Sequence, residues 1–189
     1  MDLYLGPMRP EQLLSLFKAR HTVTGAEFEA ARAAWDAFCA PEPTGLAALL
    51  QSGSSALPFL HRALLRHLQQ FPALHNGLSR AERQILELAG SGVHEPSELF
   101  PAAQRLEENI WMGDSTFRQY LQRLAKARQP LLRSEASGFE VTPLGQLVLA
   151  GKEDHVRVNG INRWLGGVHL RNGAPVWRWH EAHQTIRAI

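Results

Sequence analysis

Apolar residues recur at the 3.6-residue spacing of helices through the N-terminal part of the chain. The spacing predicts helices over Pro10 to Phe17, after Thr24, from Thr44 to Gly53 and over Pro58 to Gln70. Thr24 and Glu27 have the spacing of a capping box. The side chains that we expect these helices to bury are Phe28, Ala31, Trp35, Phe38, Phe59, Leu60, Leu64, Leu68 and Phe71.

A different order of elements follows, with three helices, two short strands and a further helix. The first helix begins at Ser79, which has the capping-box partner Glu82 three residues on. The second helix begins after His94 and contains Pro101, which can split it into two short pieces. Proline removes a backbone donor and clashes with the preceding turn, so a break is expected there.

The third helix of this group is expected over Ser115 to Arg128, with Asp114 as its N-cap. The sequences LLRSE and FEVT then predict two strands joined by a turn that contains glycine. Thr142 and Pro143 begin the last helix, PLGQLVLAG. Three helices followed by a strand pair and another helix is the order of elements in a winged helix.

The segment GGVHLRNGAPVWRWH predicts a β-hairpin near the C-terminus. Asn172-Gly173 is the favoured dipeptide of a two-residue type I′ turn. The pairs counted outward from this turn are Leu170 with Pro175, Val168 with Trp177 and Gly166 with Trp179. Because paired residues share a face, this register makes one face apolar, and Trp164 is expected to join that core. Trp177 and Trp179 could also form a stacking platform for bases, but core packing is the favoured interpretation.

The sequence therefore predicts a mainly α (α+β) protein with an N-terminal helical layer, a winged-helix core and a C-terminal β-hairpin. We divide its 189 residues into a helical region over 1–75, a winged-helix-like domain over 76–155 and a hairpin region over 156–189. The hairpin is expected to pack across the core.

The third helix of the winged-helix core carries the candidate nucleic-acid interface. Phe117, Tyr120, Leu121 and Leu124 form the stripe that must face inward. The candidate contact residues on the opposite face, its border and the wing are Ser115, Arg118, Gln119, Gln122, Arg123, Lys126 and Arg133. Glutamine and arginine can read base edges, whereas lysine and serine suit phosphates. The expected partner is double-stranded DNA.

An ordinary solvated helix explains the same residues. Lysine, arginine and glutamine form helices well, and basic residues suit a helix C-terminus. Glu107, Glu108 and Asp114 lower the local potential, and Glu135 and Glu140 offset Arg133. Many winged-helix domains bind proteins instead of DNA. The second hypothesis is therefore a protein-interaction or scaffold domain that binds a protein partner or itself.

Composition excludes several classes of partner and compartment. The formal charge of +2 gives no global attraction to nucleic acid, so a basic site must be local. Cys39 is the single cysteine, which excludes an intrachain disulfide and a cysteine zinc cage. The N-terminus has no basic segment followed by an apolar run, and no apolar stretch is long enough for a membrane span. We expect a cytoplasmic protein that does not bind membranes.

Catalytic and metal motifs are not found in the sequence. His180 and His183 flank Glu181, but zinc-protease helices need their two histidines four residues apart. The sequence contains no nucleophile elbow, phosphate loop or dinucleotide fingerprint. We therefore name no catalytic residue, metal ligand or cofactor, and an enzyme is the least favoured hypothesis.

Several strings together resemble a known bacterial family. These are LPFLHRALLRHLQQFP, NGLSRAERQILEL, MGDSTF, TPLGQLVLAG, NGINRWLGGVHL and WRW, with LGPMRPEQLLSLFKARHTVT in front. They resemble the C-terminal part of the family catalogued as domain of unknown function eighteen thirty-five. Longer members carry an α/β segment ahead of this part, and a chain without it should lack any activity that the segment carries. The resemblance implies architecture and bacterial origin, and it assigns no catalytic residue.

Overall fold

The computed structural model describes residues 8–53 and 56–189. Its α-helices are α1 Pro10–Lys18, α2 Gly25–Cys39, α3 Thr44–Ser52, α4 Leu60–Leu68, α5 Arg80–Gly90, α6 Pro96–Arg105, α7 Asp114–Ala125, α8 Pro143–Leu149 and α9 His155–Asn159. Its strands are β1 Leu132–Glu135, β2 Gly138–Val141, β3 Asn162–Leu165, β4 Val168–Arg171, β5 Trp177–His180 and β6 Thr185–Ala188. The described residues are mainly α with three antiparallel strand pairs, which confirms the predicted mainly α (α+β) class. The sequence predicts two strand pairs, one fewer than the structure has.

Side-chain caps begin several of these helices. The capping boxes of Thr24 with Glu27 and of Ser79 with Glu82 are both formed, which confirms the two sequence predictions. Asp114 was the wrong cap for α7: the helix already includes Asp114, and Gly113 is the N-cap without a side-chain bond. The Asp114 carboxylate instead lies beside Arg118 one turn later, at 3.5 Å.

The predicted split of the second helix of the core at Pro101 is wrong. α6 is continuous from Pro96 to Arg105 with Pro101 inside it. Pro101 is exposed, so its ring points away from the core, and the helix loses only the one hydrogen bond that its nitrogen would donate.

Residues 78–148 form one hydrophobic core. Its buried members come from α5, α6, α7, α8 and β1 and the segments between them, and they include Leu86, Leu99, Leu121, Leu132 and Val148. β1 and β2 pair in register from Leu132 with Val141 to Glu135 with Gly138, as a short hairpin after α7. This core fixes the position of α7.

A second core joins the two ends of the chain. Leu46 and Leu50 of α3 and Leu64 and Leu68 of α4 pack with C-terminal residues. These C-terminal members are Val168, Leu170, Val176 and Trp179. The N-terminal helices and the C-terminal strands therefore share one apolar interior, and the three-part division of the chain stays a prediction.

The C-terminal strands pair differently from the predicted hairpin. β3 pairs with β4 around Gly166-Gly167, from Asn162 with Arg171 to Leu165 with Val168. β5 pairs with β6, so Trp177 lies opposite Ala188 and not opposite Val168. The Asn172 side chain is engaged elsewhere, because its Oδ1 accepts the Ile161 amide at 2.8 Å. The Asn172-Gly173 turn thus connects two sheets and does not close a hairpin.

Four aromatic residues predicted to be buried are exposed. The exposed fractions are 61% for Phe28, 63% for Trp35, 75% for Phe59 and 64% for Trp164. Trp164 lies on the outer face of its hairpin, where its ring stacks on His169 at 4.3 Å. The burial prediction was wrong at these positions and also at Ala31, which is exposed.

The packing of α2 explains two of these errors. α2 turns its small residues Ala30, Ala34 and Ala37, with Phe38, toward the protein. Ala37 lies close to α3, because a Cβ added at Gly45 of that helix would be only 3.3 Å from the Cβ of Ala37. Small side chains permit this close approach of two helices, and the Phe28 and Trp35 stripe consequently faces outward.

Candidate nucleic-acid interface

α7 has one buried face and one open face. Phe117, Tyr120, Leu121 and Leu124 are all buried, which confirms the predicted inner stripe. The predicted contact residues Ser115, Arg118, Gln119, Gln122, Arg123, Lys126 and Arg133 all have exposed side chains. The six that belong to α7 and its C-cap lie together on the open face, and Arg133 lies apart on β1.

The open face keeps most of its polar groups available. The side chains of Ser115, Gln119, Gln122 and Lys126 make no hydrogen bond or ion pair with any residue that the structure describes. The Arg123 guanidinium lies over the Tyr120 ring, 4.3 Å from its centroid. That stacking holds the guanidinium near the helix surface, and the residue stays exposed.

The wing adds little positive charge. Arg133 forms ion pairs with Glu135 and, at 3.0 Å, with Glu140. The two carboxylates therefore neutralise the one arginine of the strand pair, and any attraction for phosphate comes from α7. A phosphate contact by Arg133 stays a prediction and requires these ion pairs to open.

Both ends of α7 are held by contacts to the rest of the protein. Before the helix, the Gln104 side chain donates to the Met112 carbonyl at 3.0 Å. After the helix, the Arg128 guanidinium donates to the Val158 carbonyl at 2.7 Å. Asn159 of α9 accepts the Gln129 amide at 2.8 Å. The open face is thus presented by a helix that is fixed at its ends and along its inner side.

A buried polar network lies beneath α7. The Tyr120 hydroxyl is 3.0 Å from the side-chain amide of Gln70. The Arg163 guanidinium donates to the Gln70 carbonyl at 2.8 Å and lies 3.2 Å from the Glu82 carboxylate. Burial raises the pKa of the Tyr120 hydroxyl above the ordinary tyrosine value, so this buried group stays neutral. This network connects α7 to α4, α5 and β3.

Glu82 is the charged centre of that network. Burial by itself raises the pKa of Glu82, but Arg163, His155 and the Ser79 hydrogen bonds outweigh it and hold the pKa at about 2. Burial lowers the pKa of the His155 imidazole, and the nearby Glu82 charge partly opposes this shift. The sequence indicated Glu82 only as a capping residue; its ion-pair partner is 81 positions away and has no local signal.

Histidines do not gather into a metal site in residues 8–53 and 56–189. No group of three or more histidine, cysteine, aspartate or glutamate side chains there has an arrangement that would hold a metal ion. The His180 and His183 rings are 4.5 Å apart, and the His180 side chain accepts the His183 amide. This pair therefore closes a turn between β5 and β6.

Comparison with known proteins adds no relative. No family model matches the chain, and no curated protein and no solved structure matches it. In the described ranges, no helix is both long enough and apolar enough to span a membrane. The resemblance to the family of unknown function thus stays a prediction from the sequence strings.

Proposed function

We propose that the protein is a non-catalytic winged-helix module that binds double-stranded nucleic acid through α7. The open polar face of α7 is the observation that carries this proposal. The face has Gln119, Gln122, Arg123 and Lys126 together, on a helix whose opposite side is buried. We also propose that this binding is regulatory.

The dimensions of this face suit a duplex groove. From Ser115 to Lys126 the helix rises about 16 Å at 1.5 Å per residue. A B-DNA major groove is about 12 Å wide and admits one helix. Gln119, Gln122 and Arg123 are placed to reach base edges, and Lys126 and Arg118 to reach the phosphates on either side.

Charge supports contact by the helix more than contact by the wing. Four basic residues, Arg118, Arg123, Lys126 and Arg128, follow Asp114 on or just after α7. The near-neutral remainder of the chain provides no general attraction. Binding should therefore depend on a few local cations, with a moderate salt dependence.

Reversing two of these charges tests the proposal. The wild-type protein should bind a mixed-sequence duplex in fluorescence anisotropy, with affinity falling about tenfold between about 50 and 200 mM salt if Arg118 and Lys126 meet phosphates. Arg123→Glu with Lys126→Glu should weaken binding and reduce the slope of log affinity against log salt by about 1, because Lys126 is lost as a phosphate contact. Both side chains are exposed, so the fold should be unaffected.

Lys152→Glu with Arg171→Glu is the matched control. It makes the same change of charge at two exposed positions outside α7 and should keep the wild-type slope. The proposal would be contradicted if the wild type does not bind the duplex at low salt, or if both double variants lose affinity equally.

The N-terminal helices favour a second candidate function, self-association. No residue of α1 or α2 is fully buried. The N-terminal apolar surface, as we call it, consists of Leu13, Leu14, Leu16, Phe17, Val23, Phe28 and Trp35, each at least 40% exposed. Exposed apolar side chains in this number mark an interaction site where they form one patch.

A second copy of the chain is the partner that this surface suits. Residues 8–39 carry four acidic and four basic side chains, so the segment is electrically neutral. A two-fold contact sets a surface against itself, and a neutral apolar surface meets its copy without net repulsion. The surface would thereby be covered without a different protein.

Mass measurement in solution tests this candidate. We expect a dimer of the 21.1 kDa chain, weakened about tenfold or more by Trp35→Ser because each copy loses a buried indole. Trp164→Ser is the control, since Trp164 is equally exposed and lies outside the surface. A single-chain mass at every soluble concentration, or equal weakening by both variants, would exclude self-association through this surface.

A further inference from the structure

A cavity of about 390 Å³ lies between α4 and the connection from α6 to α7. This volume lies within the range of small-molecule sites in proteins. Phe59, Arg62 and Arg66 line it from the α4 side, Arg80 from α5, and Glu107 and Trp111 from the connection. The cavity is separate from the open face of α7, which faces solvent.

Two aromatic side chains at this cavity remain uncovered by the protein. Phe59 precedes the first turn of α4 and is 75% exposed, and Trp111 is 42% exposed. The Arg66 guanidinium lies 4.6 Å from the centre of the Trp111 ring. Exposed aromatic rings beside a concave surface offer stacking area to a flat ligand, and they gain from being covered.

Ion pairs fix two of the three arginines. Arg66 donates to both carboxylate oxygens of Glu107, at 2.7 and 2.6 Å. Arg80 lies 3.6 Å from the same carboxylate and donates to Gln69 at 2.7 Å. The Glu107 side chain is almost completely buried, so these contacts form a rigid wall.

Arg62 is the remaining cation. It is exposed, and its guanidinium forms no ion pair with any residue in the described ranges. With Glu108 also at the rim, three arginines face two glutamates, which leaves one positive charge in excess. Burial lowers the pKa of His67 on the same wall, so this imidazole adds no charge at neutral pH. An anionic ligand would therefore balance the excess positive charge of the cavity.

We infer that this cavity binds a small planar aromatic molecule bearing one anionic group, a carboxylate or a phosphate. The ring stacks against Phe59 and Trp111, and Arg62 pairs with the anion. Arginine suits both anions, because its fork donates two parallel hydrogen bonds to either one. The site binds its ligand without a chemical step, and it does not depend on nucleic-acid binding by α7.

Calorimetric titration with matched probes tests the inference. We expect 2-naphthoate or 2-naphthyl phosphate to bind with one site per chain. The neutral 2-naphthalenemethanol and the non-aromatic cyclohexanecarboxylate should each bind at least tenfold more weakly. The better of the two anionic probes identifies the anion that the site prefers.

Two surface variants locate the binding. Arg62→Gln and Trp111→Leu should each weaken the better anionic probe about tenfold, whereas Arg171→Gln and Trp164→Leu, at exposed positions elsewhere, should not. Thermal unfolding of each free variant shows whether it is folded. No binding of either anionic probe at millimolar concentration, or binding that Arg62→Gln and Trp111→Leu leave unchanged, would overturn the inference.

Discussion

Glu82→Gln is expected to lower the free energy of unfolding by about 3–5 kcal/mol, the usual cost of breaking a buried ion pair from one side. Glutamine keeps the shape of the side chain and can still accept the Ser79 hydrogen bonds of the capping box. It removes the charge that faces Arg163, whose guanidinium is nearly buried and contacts no other carboxylate of the described residues. Urea denaturation at neutral pH measures the loss.

Glu27→Gln is the matched control, since Glu27 completes the same type of capping box near the surface without a buried arginine. It should change stability much less. Arg163→Met added to Glu82→Gln should recover part of the loss, because the uncompensated buried charge is then gone. A loss below about 1 kcal/mol for Glu82→Gln would show that the ion pair contributes little.

The pH dependence of stability offers a second measurement of the same interaction. The pKa of Glu82 is about 2 in the folded protein against 4.5 for an ordinary glutamate. Its contribution is therefore complete above pH 4.5 and is lost as the pH falls toward 2. The wild type should lose stability across this window, and Glu82→Gln should lose less. An equal loss of stability by the wild type and by Glu82→Gln across this pH window would contradict the lowered pKa of Glu82.

Gly167→Ala is expected to destabilise the protein by about 3 kcal/mol, at the upper end of the cost of overpacking. A Cβ at this position would overlap the Cys39 carbonyl and lie 2.6 Å from the Ala40 carbonyl oxygen. Both obstacles are backbone, which cannot rotate away as a side chain can. The Gly167 amide also donates to the Phe38 carbonyl at 2.8 Å. The substitution should therefore detach the β3–β4 hairpin from the end of α2.

Gly25→Ala provides the comparison, because no atom of residues 8–53 and 56–189 lies within 4 Å of a Cβ added there. Alanine in the first turn of α2 should be neutral or slightly stabilising. Thermal unfolding measures both variants, and limited proteolysis locates any loosening. Equal stability of Gly167→Ala and the wild type would mean that the hairpin can move away from α2 at no cost.

The two candidate functions are compatible with each other. A two-fold dimer through the N-terminal apolar surface would carry two copies of α7, and dimeric winged-helix and helix-turn-helix proteins read paired half-sites in this way. The α7 charge variants and Trp35→Ser change different surfaces. Duplex affinity and solution mass together therefore show whether one function depends on the other.

The sequence predicted the buried and exposed faces of α7 well, because this helix is determined locally. Phe117, Tyr120, Leu121 and Leu124 recur at helical spacing, and this pattern alone assigns one face to the core and the other to solvent. The sequence also indicated that Glu135 and Glu140 offset the charge of Arg133, since these residues are close in sequence. The cavity beside Trp111 was not predicted, because its walls come from segments about forty positions apart.

By itself, the sequence determined most of the helices, the capping boxes of α2 and α5 and the strand pair after α7, because each depends on residues within a few positions of one another. Tertiary structure decided which turn closes the C-terminal hairpin: both Gly166-Gly167 and Asn172-Gly173 are good turn formers, and close packing against Phe38 and Cys39 favours the first. It also decided which face of α2 is covered, since alanines there permit an approach to α3 that Phe28 and Trp35 would prevent. Local hydrogen bonding thus determines the elements, and the fit of distant surfaces determines how they combine.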